Sequence, residues 1–331
     1  MRALVTGGTG FVGAAVVRYL LAQGVEVYAW VRPQSGRRNL ESLPIQLVEG
    51  DLTEVQRLTD AVRGMDAVFH VAADYRIWVP EPRPMYRANV DATVALVKAA
   101  HAAGVKRIVY TSSVAVLGIH SDGQPSDEQT PSRLRDMIGH YKRSKFLAEA
   151  AVRELTDAGA PVVIVNPSTP IGPRDVKPTP TGRMIVDAAR GKMPAFVDTG
   201  LNVVHVDDVA RGHWLAHEHG RIGQRYILGG YDLSLKDILH VVANHVGRSP
   251  PRVKLPHALV MPIAYGAEAW ARLTRATKEP LATVDGVRMS KKKMFFRSDR
   301  AVRELGYEYR SAEDAIHDAI DWFAANDYLG P

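Results

Sequence analysis

Two residues four positions apart, Tyr141 and Lys145, have the types and spacing most suggestive of chemistry. On a helix such residues share one face. A phenol of pKa about 10 is a poor acid or base at neutral pH, and a nearby ammonium stabilises the phenolate and lowers that pKa. The pair suits proton exchange with an alcohol or ketone oxygen, although Tyr-x-x-x-Lys also occurs on ordinary surface helices. Upstream, Val109-Tyr110-Thr111-Ser112-Ser113 ends an apolar run in hydroxyls. A serine at the C-terminal edge of a parallel sheet can donate a hydrogen bond to a substrate oxygen. Alone it reads equally well as a turn residue.

Hydride chemistry at that carbon needs a dinucleotide, and the amino terminus has a place for one. Thr6-Gly7-Gly8-Thr9-Gly10-Phe11-Val12-Gly13 follows a strand pattern and opens a helical one. There the glycines Gly7, Gly10 and Gly13 permit a tight turn, backbone approach to a pyrophosphate, and close helix–strand packing. The pyrophosphate would rest on the helix N-terminus, where free N–H groups and the helix dipole favour an anion. An acid about 20 positions on would mark NAD. Here the second strand ends at Arg32, with Arg37 and Arg38 close behind. Guanidinium where a 2′-phosphate would lie predicts NADP, with NAD possible.

These residues need a scaffold. Strand-like runs at 3–6, 25–31, 45–49, 67–71, 107–111 and 161–166 alternate with helical stretches such as 12–23, 86–103 and 140–157. The strands are almost continuously apolar, as when both sheet faces are covered. This predicts an α/β protein: a Rossmann-type doubly wound parallel sheet with a smaller C-terminal α/β subdomain. The expected division is 1–170 for the dinucleotide domain, with 201–228 returning to it, and 171–200 plus 229–331 for a substrate lid. Asn166–Pro173 and Lys177–Gly182 are rich in Pro, Gly and Thr and read as loop. Val203–His219 reads as a strand and helix. The apolar stretch His257–Thr277 fits a buried or subunit-packing helix better than one lying on a membrane.

Composition narrows the classes. There are no cysteines among the 331 residues, which excludes disulfides, thiolate nucleophiles and Cys-ligated metals. The net charge of +6 favours anionic ligands but is too dispersed to indicate nucleic acid. The Lys291-Lys292-Lys293 run reads as a solvated helix end. No signal core or spanning stretch is evident. His213 and His217 share a helix face without a third ligand, so no metal is expected, and Asp207 or Asp208 is expected to cap that helix. Gly-x-Ser-x-Gly is missing, against an α/β-hydrolase.

Taken in order, the glycine turn, Gly50-Asp51-Leu52, Val71-Ala72-Ala73, Thr111-Ser112-Ser113, Tyr141/Lys145, Asn166-Pro167-Ser168, His205–Ala210 and Asp299–Tyr307 resemble the extended short-chain dehydrogenase/reductase family. The resemblance covers nearly the whole chain. It implies that Thr9, Gly10, Phe11 and Val12 contact pyrophosphate, that Asp51 and Leu52 flank adenine, and that Ala72 and Ala73 line the dinucleotide path. It also implies Ser113 as the group polarising the substrate oxygen, Tyr141 as the proton carrier, and Lys145 as the holder of the nicotinamide ribose. Pro167 and Ser168 would lie near the nicotinamide.

Sugar 4,6-dehydratases of that family usually carry Thr-Asp-Glu where this chain has Ser112-Ser113-Val114, so dehydration is disfavoured. The 70–78 stretch, Asn166–Asp175 and Lys177–Gly182 look like the hopanoid-associated sugar epimerases of the dihydroflavonol-reductase-like branch. That likeness implies a cytoplasmic bacterial epimerase acting on a sugar or sugar-lipid. Ketone reduction with NADPH is the alternative, and a non-catalytic NADP-binding redox sensor the reading from another class. By resemblance the chain forms a homodimer through the helices within 86–103 and 140–157. Arg76, Arg174, Lys177 and Arg183 could hold a substrate anion, and Tyr75 and Trp78 could stack on a ring.

Overall fold

In the first half of the chain, short apolar strands alternate with helices that cover them. The computed structural model describes residues 1–274, 280 and 282–330. These begin with β1 (Arg2–Thr6), α1 (Phe11–Ala22), β2 (Glu26–Val31), β3 (Gln46–Glu49), α2 (Val55–Val62) and β4 (Ala67–His70). Then come α3 (Arg83–Tyr86), a π-turn at Arg87–Asp91, α4 (Ala92–Ala102), β5 (Arg107–Thr111), α5 (Gly139–Asp157) and β6 (Val162–Pro167). The second half holds β7 (Thr169–Ile171), α6 (Pro180–Ala189), β8 (Ala195–Phe196), β9 (Gly200–His205), α7 (Val206–His219) and β10 (Arg225–Leu228). It continues with β11 (Tyr231–Ser234), α8 (Leu235–His245), β12 (Val253–Lys254), α9 (His257–Leu273), α10 (Val284–Ser290), β13 (Lys293–Met294), α11 (Asp299–Leu305) and α12 (Ala312–Ala325).

Seven parallel strands form the main sheet in the order β10-β6-β5-β4-β1-β2-β3, a doubly wound Rossmann arrangement. Period-two alternation divides its core. Ala3, Val5, Phe69 and Val165 pack on one side with Ala15 and Leu20 of α1 and Val209 of α7. Leu4, Val68, Ile108 and Ile164 pack on the other with Leu58, Leu96 and Ala148 of α2, α4 and α5. The order reverses between β1 and β4, so the crevice at their C-terminal ends faces outward for a ligand.

A smaller subdomain joins β7, β9, β11 and β13 into a second sheet and packs α6, α8 and α12 beside it. Of the stretch 201–228, β9 lies in this small sheet, α7 packs on α1, and β10 adds to the main sheet beside β6.

Two readings are corrected. Within Asn166–Pro173, β6 runs to Pro167 and β7 forms at once. Lys177–Gly182 contains the start of α6: Thr179 caps it by accepting from Gly182 N at 3.0 Å, with Pro180 in the first turn. A Pro/Thr/Gly-rich stretch can be a helix start as well as a loop. The apolar stretch 257–277 is helical through Leu273, and its residues 275–277 lie outside the described residues. That helix buries only one side, through Ala264, Glu268 and Ala271. Among the described residues, no helix is long and apolar enough to cross a membrane.

Candidate active site

The glycine turn is shaped by close approach. Gly7 has φ +75°, and a side chain there would bring Cβ to 2.7 Å from Ala72 N. Gly13 has no room for one beneath the carbonyl of Gly7. Gly10 caps α1 without a side chain, and the first turn carries no acid, so the N–H groups there face the crevice mouth unopposed. Asn39, buried, braces the loop by donating to Thr9 O at 3.3 Å.

From this edge a hydrogen-bonded chain crosses the site. Ala72 N donates to Thr6 Oγ1 at 3.3 Å, and Thr6 Oγ1 lies 2.7 Å from His70 Nδ1. His70 Nε2 is 2.8 Å from Thr93 Oγ1, which donates to Asn89 O at 2.7 Å. Burial pushes His70 down to about 3, so the ring is neutral. Because Thr93 donates onward, it accepts from His70 Nε2–H, leaving Nδ1 to accept from Thr6. Asn89 stands in the π-turn. It accepts from Asp74 N at 2.7 Å and donates to Asp74 O at 2.8 Å and Ser144 Oγ at 2.9 Å. Ser144 in turn donates to Tyr141 O at 2.8 Å.

Around the phenol, α5 meets the ends of β5 and β6. The Ser113 hydroxyl accepts from Ala115 N at 3.1 Å and lies beside the Tyr141 phenol. Burial raises Tyr141 above the usual phenol value, and the neighbouring Ser113 hydroxyl offsets part of that rise. Lys145, 2% exposed, donates to Thr111 O at 2.7 Å and Tyr110 OH at 3.0 Å. Burial lowers it to about 7, partly countered by Glu149. In the chain alone the Tyr141 phenol is thus raised rather than lowered, and Lys145 is bound to strand β5. Glu149 accepts from Asn166 Nδ2 at 2.9 Å and Arg225 Nη1 at 2.9 Å.

The remaining sequence candidates sort by position. Pro167 and Ser168 stand at the end of β6, where Ser168 Oγ is buried without a protein partner. Ala73 follows Ala72 past the end of β4. The Asp51 carboxylate turns back onto Thr53, whose hydroxyl (2.6 Å) and N–H (2.9 Å) hold it below the ordinary carboxylate range. Leu52 packs against the core on the α2 side. Arg76 pairs with Asp74 at 2.9 Å and Arg174 with Asp207, while Lys177 is exposed. Capping of α7 falls to His205, which accepts from Asp207 N at 3.0 Å; Asp208 instead binds Arg310 at 2.9 Å. His213 is a brace, 2.8 Å from Thr111 Oγ1 and from Val209 O, and burial keeps it neutral at about 4.

Asn39, His70, Asn89, Thr93, Tyr110 and Ser144 were not legible as site residues. Only Asn89, a polar residue in an Ala- and Val-rich helical stretch, left a signal.

The description of the NAD dependent epimerase/dehydratase family matches residues 3–229. The chain belongs to that family. It is 44% identical over 98% of its length, and 95% of the relative, to a putative dihydroflavonol 4-reductase of Synechocystis sp.. It is 34% identical to sterol demethylase protein B of Methylococcus capsulatus, over 98% of both. Among solved structures, gox2253 is 51% identical, covers 99% of each chain and superposes with a TM-score of 0.89. The chain is thus an NAD(P)-dependent enzyme of the epimerase/dehydratase and oxidoreductase superfamily, with a Rossmann nucleotide site.

The NADP expectation is corrected to NAD. The DesIV double mutant of Streptomyces venezuelae, a dTDP-glucose 4,6-dehydratase, is described with NAD bound; it is 25% identical, covers 99% of this chain and 98% of its own, and has a TM-score of 0.79. The fold gives a physical reason. Arg37 is taken by Glu49 on β3, and the charge of the exposed Arg32 acts on Asp51, so these cations have acidic neighbours of their own. The residues present fit a dinucleotide: a glycine cradle that a Cβ would fill, an uncapped α1 N-terminus, and the unpaired Ser168 hydroxyl.

Proposed function

We propose that this chain is an NAD-dependent ketone reductase or alcohol dehydrogenase of the dihydroflavonol-reductase type, acting on a bulky apolar carbonyl compound. The convergence of Ser113, Tyr141 and Lys145 at the strand ends, with Lys145 donating to Thr111 O at 2.7 Å, carries the reading. The bound dinucleotide would supply or accept the hydride. Gly7, Thr9, Gly10, Phe11, Val12 and Gly13 would seat its pyrophosphate, Asp51 and Leu52 its adenine end, and Ala72, Ala73, Pro167 and Ser168 its path towards the nicotinamide. Ser113 would hold the substrate oxygen beside the Tyr141 hydroxyl, which gives that oxygen its proton. Lys145, seated on Thr111 and Tyr110, would turn to the nicotinamide ribose and replenish Tyr141.

Reduction is favoured over sugar epimerisation by the two curated relatives, whose names concern a flavonoid ketone and a sterol. The hopanoid-linked epimerase remains the competing reading of the same residues. Residues 1–170 would carry the dinucleotide, and 171–200 with 229–331 would close over the substrate. Under this reading, a ketone substrate consumes NADH in equal amount. Turnover of a sugar with no net change in NADH would reject reduction in favour of epimerisation.

A further inference from the structure

Helix α9 is apolar on the side that faces water. Leu259, Ile263, Trp270 and Leu273 recur along that side, with Trp270 68% and Leu273 79% exposed. Pro262, Gly266 and Ala269 complete the stripe, and no acid interrupts it. The opposite side is fixed to the protein. Ala264 packs on Val284 and Val287 of α10, and Glu268 accepts from Val284 N at 2.7 Å and Arg272 at 3.2 Å. The exposed stripe is therefore a settled surface of the fold.

Charge indicates what covers it. Exposed Arg252 and Lys254 precede the helix, and His257 lies 3.1 Å from Ser290 O, bringing the exposed Lys291-Lys292-Lys293 run beside its first turn. Arg272 marks the other end, and Arg288 flanks the middle, 3.5 Å from Tyr265 OH. Asp198, Glu268 and Asp285 offset part of this charge, but Glu268 is buried. An apolar stripe rimmed by cations suits the face of an anionic bilayer. A second copy would set like charges together around the same stripe.

We propose that α9 seats the protein on an anionic lipid surface as a peripheral, interfacial helix. Its inner edge, through Tyr265, Glu268 and Arg272, lines a cavity of about 410 Å³ with Trp78 and His140, the residue before Tyr141. Seated this way, the protein holds the cleft beside the acyl region. Delivery of an apolar carbonyl from the bilayer would rest on the reductase reading; the docking itself does not.

The test is co-sedimentation of the full chain with phosphatidylcholine vesicles, with and without phosphatidylglycerol. Binding is expected to need the anionic lipid, to weaken with salt, and to fall about tenfold or more in Trp270→Glu/Leu273→Glu, each position losing apolar insertion. A blue shift of tryptophan emission on binding, lost in Trp270→Phe, would place the indole in lipid. NAD affinity of the double variant should stay unchanged, which shows that it folds and separates this test from the reductase assay. Equal binding by wild type and double variant, no vesicle binding, or a concentration-dependent dimer abolished by the same substitutions would each overturn the proposal.

Discussion

Helix α5 carries Lys142, Lys145 and Glu149 inside the protein, whereas α9 holds Leu259, Trp270 and Leu273 out in water. Each reverses the usual sorting of residue types. They differ in compensation. In α5 the buried Lys145 and Glu149 have near partners: Thr111 and Tyr110 for Lys145, Asn166 and Arg225 for Glu149. In α9 the exposed apolar groups have no cover among the described residues. A buried charge with its partners supplied points to chemistry inside the molecule, and an uncovered apolar face points outside it.

That contrast can be broken at several points. Tyr141→Phe should lower kcat by about 10²- to 10⁴-fold while NAD affinity changes little, the range for losing a positioned proton carrier. Steady-state rates and a binding titration check it, and an unimpaired mutant would make α5 mere scaffold. Glu149→Ala, which strands the partly buried Arg225, should cost about 3 kcal/mol or more in urea unfolding. Leu273→Ser on α9 should stay within about 0.5 kcal/mol. Similar losses at both would erase the distinction.

A smaller effect follows from Lys145. The folded chain lowers it from 10.5 to about 7, so between those values the unfolded chain binds more protons. This group's contribution to stability therefore rises with pH across that window and is least favourable below about pH 7. Lys142, lowered to about 8 by burial, adds to the slope over a narrower span. Urea midpoints of the dinucleotide-free protein at about pH 7 and about pH 9.5 should show a shallower rise in Lys145→Met than in wild type.

Much of the dinucleotide edge was legible because it is local. Gly10 and Gly13 close against the Gly7 carbonyl within one turn, Gly7 takes a positive φ there, and apolar runs such as Val162–Val165 announce a doubly covered sheet. The cofactor choice failed for the opposite reason. Arg37 was read without Glu49, a strand away, which engages it. The buried relay through His70, Thr93 and Asn89 depends on three elements meeting, and Thr and His carry no sign of that in sequence. For helix α9 hydrophobicity alone leaves open what covers its outer side, because it records what a segment avoids and not what shields it.

The π-turn at Arg87–Asp91 has a consequence for variation in length. A π-turn holds one residue more than the α-helical path between the same ends. Removing that residue would close the turn into regular α-helix with its two ends kept in place, and the residues between them would shift. Asn89 would then no longer face both Asp74 and Ser144. Side-chain exchanges on the outer surface of this helix are mild events, whereas a one-codon deletion there would unfasten the loop that begins at Asp74 from the helix that carries Tyr141.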